Sequence, residues 1–274
     1  MDTTELKLVF ALAIFLLGAL GALIPWMRRH GRDDDRFMIW GDTFAGGVLA
    51  GAGLVHLLSS GAAGFGAWAP GFTYPLAFVL AGAGFLLVLL IEAVIVADPD
   101  PSVSPLHCAS GGAATEISPA IESHTRSTTS FILLMVLSVH AIILGLALGA
   151  QTTAAGALAV FIAIMAHKLM EGFALGVTYR RTGASRRHAV RAAAVFALMT
   201  PVGILAGTAI YTIISTEGRE LFEAVFDSIG AGTFLYIATV DIIRTEFEIP
   251  GDNWQKWLLA AGGFAIMSLL AIWI

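Results

Sequence analysis

The chain has 274 residues, 57% of them hydrophobic and only 13% charged, with a formal net charge of −5. Soluble domains carry roughly 25% charged residues, so an ordinary water-soluble fold is excluded. The net charge itself says little, because the charges sit in a few polar stretches, and no nucleic-acid partner is expected. One cysteine, Cys108, permits no intramolecular disulfide.

The start, Met1-Asp2-Thr3-Thr4-Glu5, is acidic where a signal peptide is basic, and no small-residue cleavage site interrupts the apolar run behind it. That run reads as a retained transmembrane helix. A bilayer core needs about 20 apolar residues per helix, and candidate spans fall at 6–27, 37–60, 72–97, 130–150, 153–179, 189–215, 221–244 and 254–274. The expected fold is therefore an all-α integral membrane bundle of eight helices. The 30 glycines suit close helix packing in lipid. Residues 1–97 hold the first three helices, 98–129 form a loop, and 130–274 hold the last five. The loop is rich in Pro, Ser, Thr, Gly and Ala, which cannot form a core, and is expected to be a mobile cytoplasmic segment. It carries His107, Cys108 and His124, scattered donors that fit a solvated linker better than a metal-handing device. Placing both termini outside the cytoplasm leaves only Lys7 and Arg219 outside and Lys168 within the membrane, while the other Lys and Arg residues face the cytosol. This is the positive-inside pattern.

The informative stretch is His167-Lys168-Leu169-Met170-Glu171-Gly172, ionisable groups in the middle of an apolar run. Such groups are costly at bilayer depth and mark function by default. His167 and Glu171 are four residues apart and share one helix face. The turn at Gln151-Thr152 is so short that the flanking helices form an antiparallel hairpin, which lets His140 on the first arm face His167 on the second. Two imidazoles and a carboxylate suit zinc or ferrous iron. Three protein ligands leave a position open, as a site that must load and release its ion requires. The spacings Gly145/Gly149 and Gly172/Gly176 predict that the two arms approach closely and bring His140 to the His167/Glu171 face.

The segments Ser138-Val139-His140-Ala141-Ile142-Ile143-Leu144-Gly145-Leu146-Ala147-Leu148-Gly149 and His167 to Gly176 closely resemble the fourth and fifth helices of the ZIP (Zrt/Irt-like protein) family of divalent-metal transporters. Phe44 to Leu58, Leu198 to Gly203 and Ala231 to Tyr236 agree as well, so the resemblance covers essentially all eight helices. It implies transport of zinc, with iron or manganese as alternatives, into the cytosol by alternating access. Helices one, four, five and six would move against two, three, seven and eight. It also implies a homodimer, with the metal as cargo and no resident cofactor; the plasma membrane is the expected location, with an organelle membrane as the alternative.

Family members holding two metals have an Asn, an Asp and a Glu where this chain has Ala141, Lys168 and Thr200, and Leu144 replaces a Glu of some relatives. The expected site is thus mononuclear, with His140, His167 and Glu171 as ligands. Lys168 is expected to substitute electrostatically for the second ion, the alternative being that it snorkels or pairs with Glu171 alone. His56 matches a family histidine and reads as an accessory ligand, as a residue along the route, or as a packing or hydrogen-bonding residue. Ser59 and Ser60 stand where many relatives carry an acid at the outer mouth. Glu92 and Asp241 are candidates for the exit, with solvated helix ends as the plainer reading, and Asp227 is a candidate for the entry. Pro201 is expected to break the sixth helix beside the site. Two other classes compete. An intramembrane zinc-dependent hydrolase would need a separate general base, and no Gly-x-Ser-x-Gly or His-Glu-x-x-His motif is present. A metal-sensing receptor would bind without translocating. No enzymatic activity is expected.

Overall fold

The computed structural model of the chain describes residues 3–27, 32–71, 73–96, 119–210 and 216–272. Every regular element among these residues is helical, because lipid offers backbone groups no partner outside their own segment. The helices are α1 (Thr3–Met27), α2 (Arg32–Gly51, a π turn at Ala52–Leu57, then Leu58–Trp68), α3 (Leu76–Leu90 and a π turn at Ile91–Val96), α4 (Pro119–Ala150), α5 (Ala154–Arg181), α6 (Arg186–Ile210), α7 (Thr216–Tyr236, a π turn at Ile237–Ile243, then Arg244–Glu248) and α8 (Asn253–Leu270). The first seven are long and apolar enough to cross a membrane. The eighth has 18 residues, and its polar start at Asn253, Gln255 and Lys256 dilutes its apolar content.

Local chemistry sets the turns. Thr153 caps α5 by accepting the Gly156 N–H at 3.1 Å, which fixes the hairpin after Gln151. Gly183 adopts φ 70° after α5, and Gly251 and Asp252 adopt φ 98° and 56° between α7 and α8. Lys256 then donates to the carbonyls of Glu246 (2.9 Å) and Ile249 (2.5 Å), covering the orphan acceptors where α7 ends. Lys7 does the same for Gly149 at the end of α4, at 2.6 Å.

The packing sorts the helices into two groups. Helices α1, α4, α5 and α6 pack mainly on one another, and so do α2, α3, α7 and α8. Within each group the contacts are backbone on backbone at glycine. A Cβ on Gly145 or Gly149 would lie 2.4 Å from Thr200 O or 2.3 Å from Ile204 O of α6. On Gly172 or Gly176 it would lie 2.5 Å from Gly18 O or 2.3 Å from Ala22 O of α1. Gly47 and Gly263 play this part between α2 and α8, and Gly84 and Gly232 between α3 and α7. The glycines of the paired motif therefore do not hold α4 against α5, as their spacing had suggested. They dock each arm onto a third helix.

Two further expectations change. Helix α4 begins at Pro119, a residue type favoured at a first helical position, so the loop expected over 98–129 is shortened from its C-terminal side. His107 and Cys108 lie outside the described residues, as does the side chain of His124. Pro201 does not break its helix: α6 runs through it without interruption.

Candidate metal centre

His167 and Glu171 project from α5 and His140 from α4 into the interior of the bundle. His140 is 4% exposed, His167 1% and Glu171 0%. Glu171 Oε1 lies 3.4 Å from His167 Nε2 and 3.6 Å from His140 Nε2. The three ligand atoms all fall within 4.8 Å of one another, and no other such cluster of His, Cys, Asp or Glu occurs among the described residues. The ring of Phe234 on α7 backs His140, with centroids 4.4 Å apart. His140 Nε2, His167 Nε2 and Glu171 Oε1, which face one another, have no hydrogen-bond partner among the described residues. A buried polar atom left so costs about 1–3 kcal/mol. Orphaned atoms converging on one point are what a cation would satisfy.

Lys168 is completely buried, which rules out snorkelling. Its Nζ sits 3.2 Å from Glu171 Oε2 and 3.8 Å from the centre of the Phe196 ring, an ion pair reinforced by a cation–π contact. Glu171 thus divides its work: one oxygen holds the lysine and the other faces the imidazoles. Ala141 and Thr200 are both fully buried, and Thr200 Oγ1 has no hydrogen-bond partner among the described residues.

His56 lies on the π turn of α2, its ring centre 6.2 Å from that of His167. It forms part of the wall of a cavity of about 260 Å³ that extends to Gln151 in the α4–α5 turn. Asp227 and Ser60 line the same cavity, together with Glu220 and Glu223. Neither glutamate was among the sequence-predicted site residues: Glu220 falls just outside the seventh span and Glu223 just inside it. Their signal was the spacing 220, 223, 227, one face of a helix. Glu92 and Asp241 stand elsewhere, side by side on the π turns of α3 and α7. Tyr236 donates to Glu92 at 3.0 Å. They are not part of the His/His/Glu cluster. His56, Glu92 and Asp241 each occupy a π turn, a feature frequent at functional positions that sequence periodicity does not reveal.

The cavity carries a prediction. Its carboxylates should raise the local concentration of divalent cations. Replacing Glu223 by Gln and Asp227 by Asn is expected to raise the half-saturating metal concentration about threefold to tenfold, with the maximal rate little changed. The difference should shrink in high salt, where screening removes the attraction. Uptake measured against metal concentration at two ionic strengths checks this.

A family model described as ZIP Zinc transporter matches residues 98–271. The chain belongs to the ZIP family. It is 31% identical over 222 residues to "Zinc transporter ZIP1" of Danio rerio, covering 72% of this chain and 71% of that protein. To "Zinc transporter ZIP2" of Mus musculus it is 29% identical over 262 residues, covering 83% and 82%. It also shares 34% identity over 145 residues with "Fe(2+) transport protein 3, chloroplastic" of Arabidopsis thaliana, covering 49% of this chain and 33% of that protein. Family membership and the buried His/His/Glu cluster make this chain a divalent-metal transporter in a multi-pass helical membrane protein. The hydrolase alternative finds no support among these relatives.

Proposed function

We propose that this ZIP protein carries zinc into the cytosol across the plasma membrane through a single-ion site made by His140, His167 and Glu171. The observation that carries the reading is the convergence of unpartnered ligand atoms from two helices on one buried point. Three protein ligands leave a coordination position for water or for His56, which stands between the cavity and His167. An incomplete shell suits an ion that must leave again. The cavity lined by Asp227, Glu220 and Glu223 is the entry, and the ion reaches the far side when α1, α4, α5 and α6 shift as a body against α2, α3, α7 and α8. Lys168 stands in for a second ion. The arginine-bearing end of the bundle faces the cytosol by the positive-inside pattern, and Glu92 and Asp241 belong to that end. Zinc is favoured by the printed names of the mouse and zebrafish relatives. Ferrous iron, named in the Arabidopsis relative, suits the same donors. The protein works without a resident cofactor, and the unit is a homodimer.

Purified protein in sealed vesicles tests the reading. Labelled zinc is expected to accumulate in the lumen down its gradient, and excess iron or manganese to compete less well than cadmium or unlabelled zinc. Binding without filling of the lumen would point instead to a receptor.

A further inference from the structure

The ion pairs described between the two helix groups lie together at one end of the bundle. Helix α5 carries His167, Lys168 and Glu171 and ends in Arg180 and Arg181. Arg180 pairs through Nη2 with Asp34 of α2 and donates through Nη1 to the Pro25 carbonyl of α1. Arg181 lies between two carboxylates, Asp42 of α2 at 3.3 Å and Glu246 of α7. The acids are buried, with Asp34 4%, Asp42 3% and Glu246 0% exposed. Glu246 is held in place because Lys256 of α8 ties down the backbone of the turn that presents it. At the other end of α5, Ala163 lines the cavity that reaches His56. One end of the carrying helix therefore lines the cavity that reaches His56, and the other, which walls a second cavity, is fastened to the opposite group.

We propose that Arg180 and Arg181 form the inner gate of the transporter: an electrostatic clamp that locks α5 to α2 and α7 while the outer cavity is open, and that must break for the ion to leave. The clamp is bistable for a physical reason. While the acids are dry, removing a guanidinium would leave a buried uncompensated charge, so the closed arrangement resists small displacements. Once α5 moves by about one helical turn, roughly 5.4 Å, the guanidinium groups are out of ion-pair range and water reaches the acids. A hydrated ion pair is worth little, so nothing pulls the helix back until the cleft dries. The proposal rests on α5 being the ion-carrying helix and on the arginine-bearing end facing the cytosol; its test needs no metal, so its failure is distinguishable from a failure of the ligand assignment.

The test uses the full chain with Cys108 replaced by Ser and a single cysteine placed on α5. Ala163→Cys reports the outer cavity. Val177→Cys reports the inner cavity of about 350 Å³ walled by Met38, Ile39 and both arginines. Each is labelled without metal by an impermeant maleimide applied from its own side. In the Arg181→Gln background, labelling at Val177→Cys should rise about fivefold or more and labelling at Ala163→Cys should fall, because the buried acids lose the counter-charge that holds the closed arrangement. Glu246→Gln should move both rates the same way, and it serves as the second variant where Arg181→Gln folds poorly. Rates that stay unchanged, or that rise together as in a loosened protein, overturn the proposal. So does a shift seen with Arg181→Gln but not with Glu246→Gln.

Discussion

Glu171→Gln is expected to lower zinc uptake by at least a hundredfold while leaving the size of the side chain intact. The variant removes the negative member of a set in which two imidazoles and a lysine remain, so the centre changes from one that attracts a cation to one that repels it. Breaking a buried pair by removing one partner costs about 3–5 kcal/mol, two to four orders of magnitude in a binding constant. Lys168, at 0% exposed and 3.2 Å from the lost carboxylate, would be left without its counter-charge, so part of the loss could come from folding. The double variant Lys168→Met with Glu171→Gln separates the two, because it removes the stranded charge and should restore thermal stability in detergent but not uptake. Recovery of uptake in the double variant would show that Glu171 is structural. Thr200→Val serves as the comparison: it deletes a buried hydroxyl with no hydrogen-bond partner among the described residues and should cost less than tenfold.

What the sequence revealed, and what it hid, follows from how each feature is encoded. The pairing of His167 with Glu171 is local, one turn of one helix, and could be read directly. The approach of His140 needed only the short turn at Gln151. The glycines were legible as close-packing positions but not as to partner, since spacing says which helix face is bare and nothing about which neighbour covers it. Gly145 serves α6 and Gly172 serves α1. That docking explains why the motif helices belong to one packed group, a division that the family resemblance implied and that periodicity did not show. Glu220 and Glu223 were missed for another reason: at an apolar span's boundary an acid reads as a solvated helix end, and only the fold shows that both line the cavity with Asp227. The extension of α4 to Pro119 was hidden because its first turns are polar and lack an apolar stripe to reveal a helix. The π turns at His56, Glu92 and Asp241 shift the facing of a helix by one residue, which no fixed period can register.

Lys168→Ala is expected to move affinity and turnover in opposite directions, which tests the idea that its ammonium replaces a second ion. A unit positive charge beside a divalent ion repels it by on the order of 5 kcal/mol at an effective dielectric constant of about 20. Part of that is offset, because Lys168 also holds Glu171 Oε2 and orients Oε1 toward the imidazoles. Removing the lysine should therefore tighten binding of the first ion, lower the half-saturating concentration and slow release, so that the maximal rate falls. Lys168→Asp goes further. Glu171 Oε2, freed from the lysine, and the new carboxylate at position 168 would offer two oxygens beside the first ion, and equilibrium dialysis should count two metals per chain where the parent binds one. The same measurement on the parent is the stricter test: two ions bound to the unmodified chain at this centre would mean that the lysine fills no ion's place. A Lys168→Asp chain that still binds one ion, with unchanged affinity, would mean that the lysine serves only to pair with Glu171, and that the single-ion character of the centre comes from Ala141 and Thr200 instead.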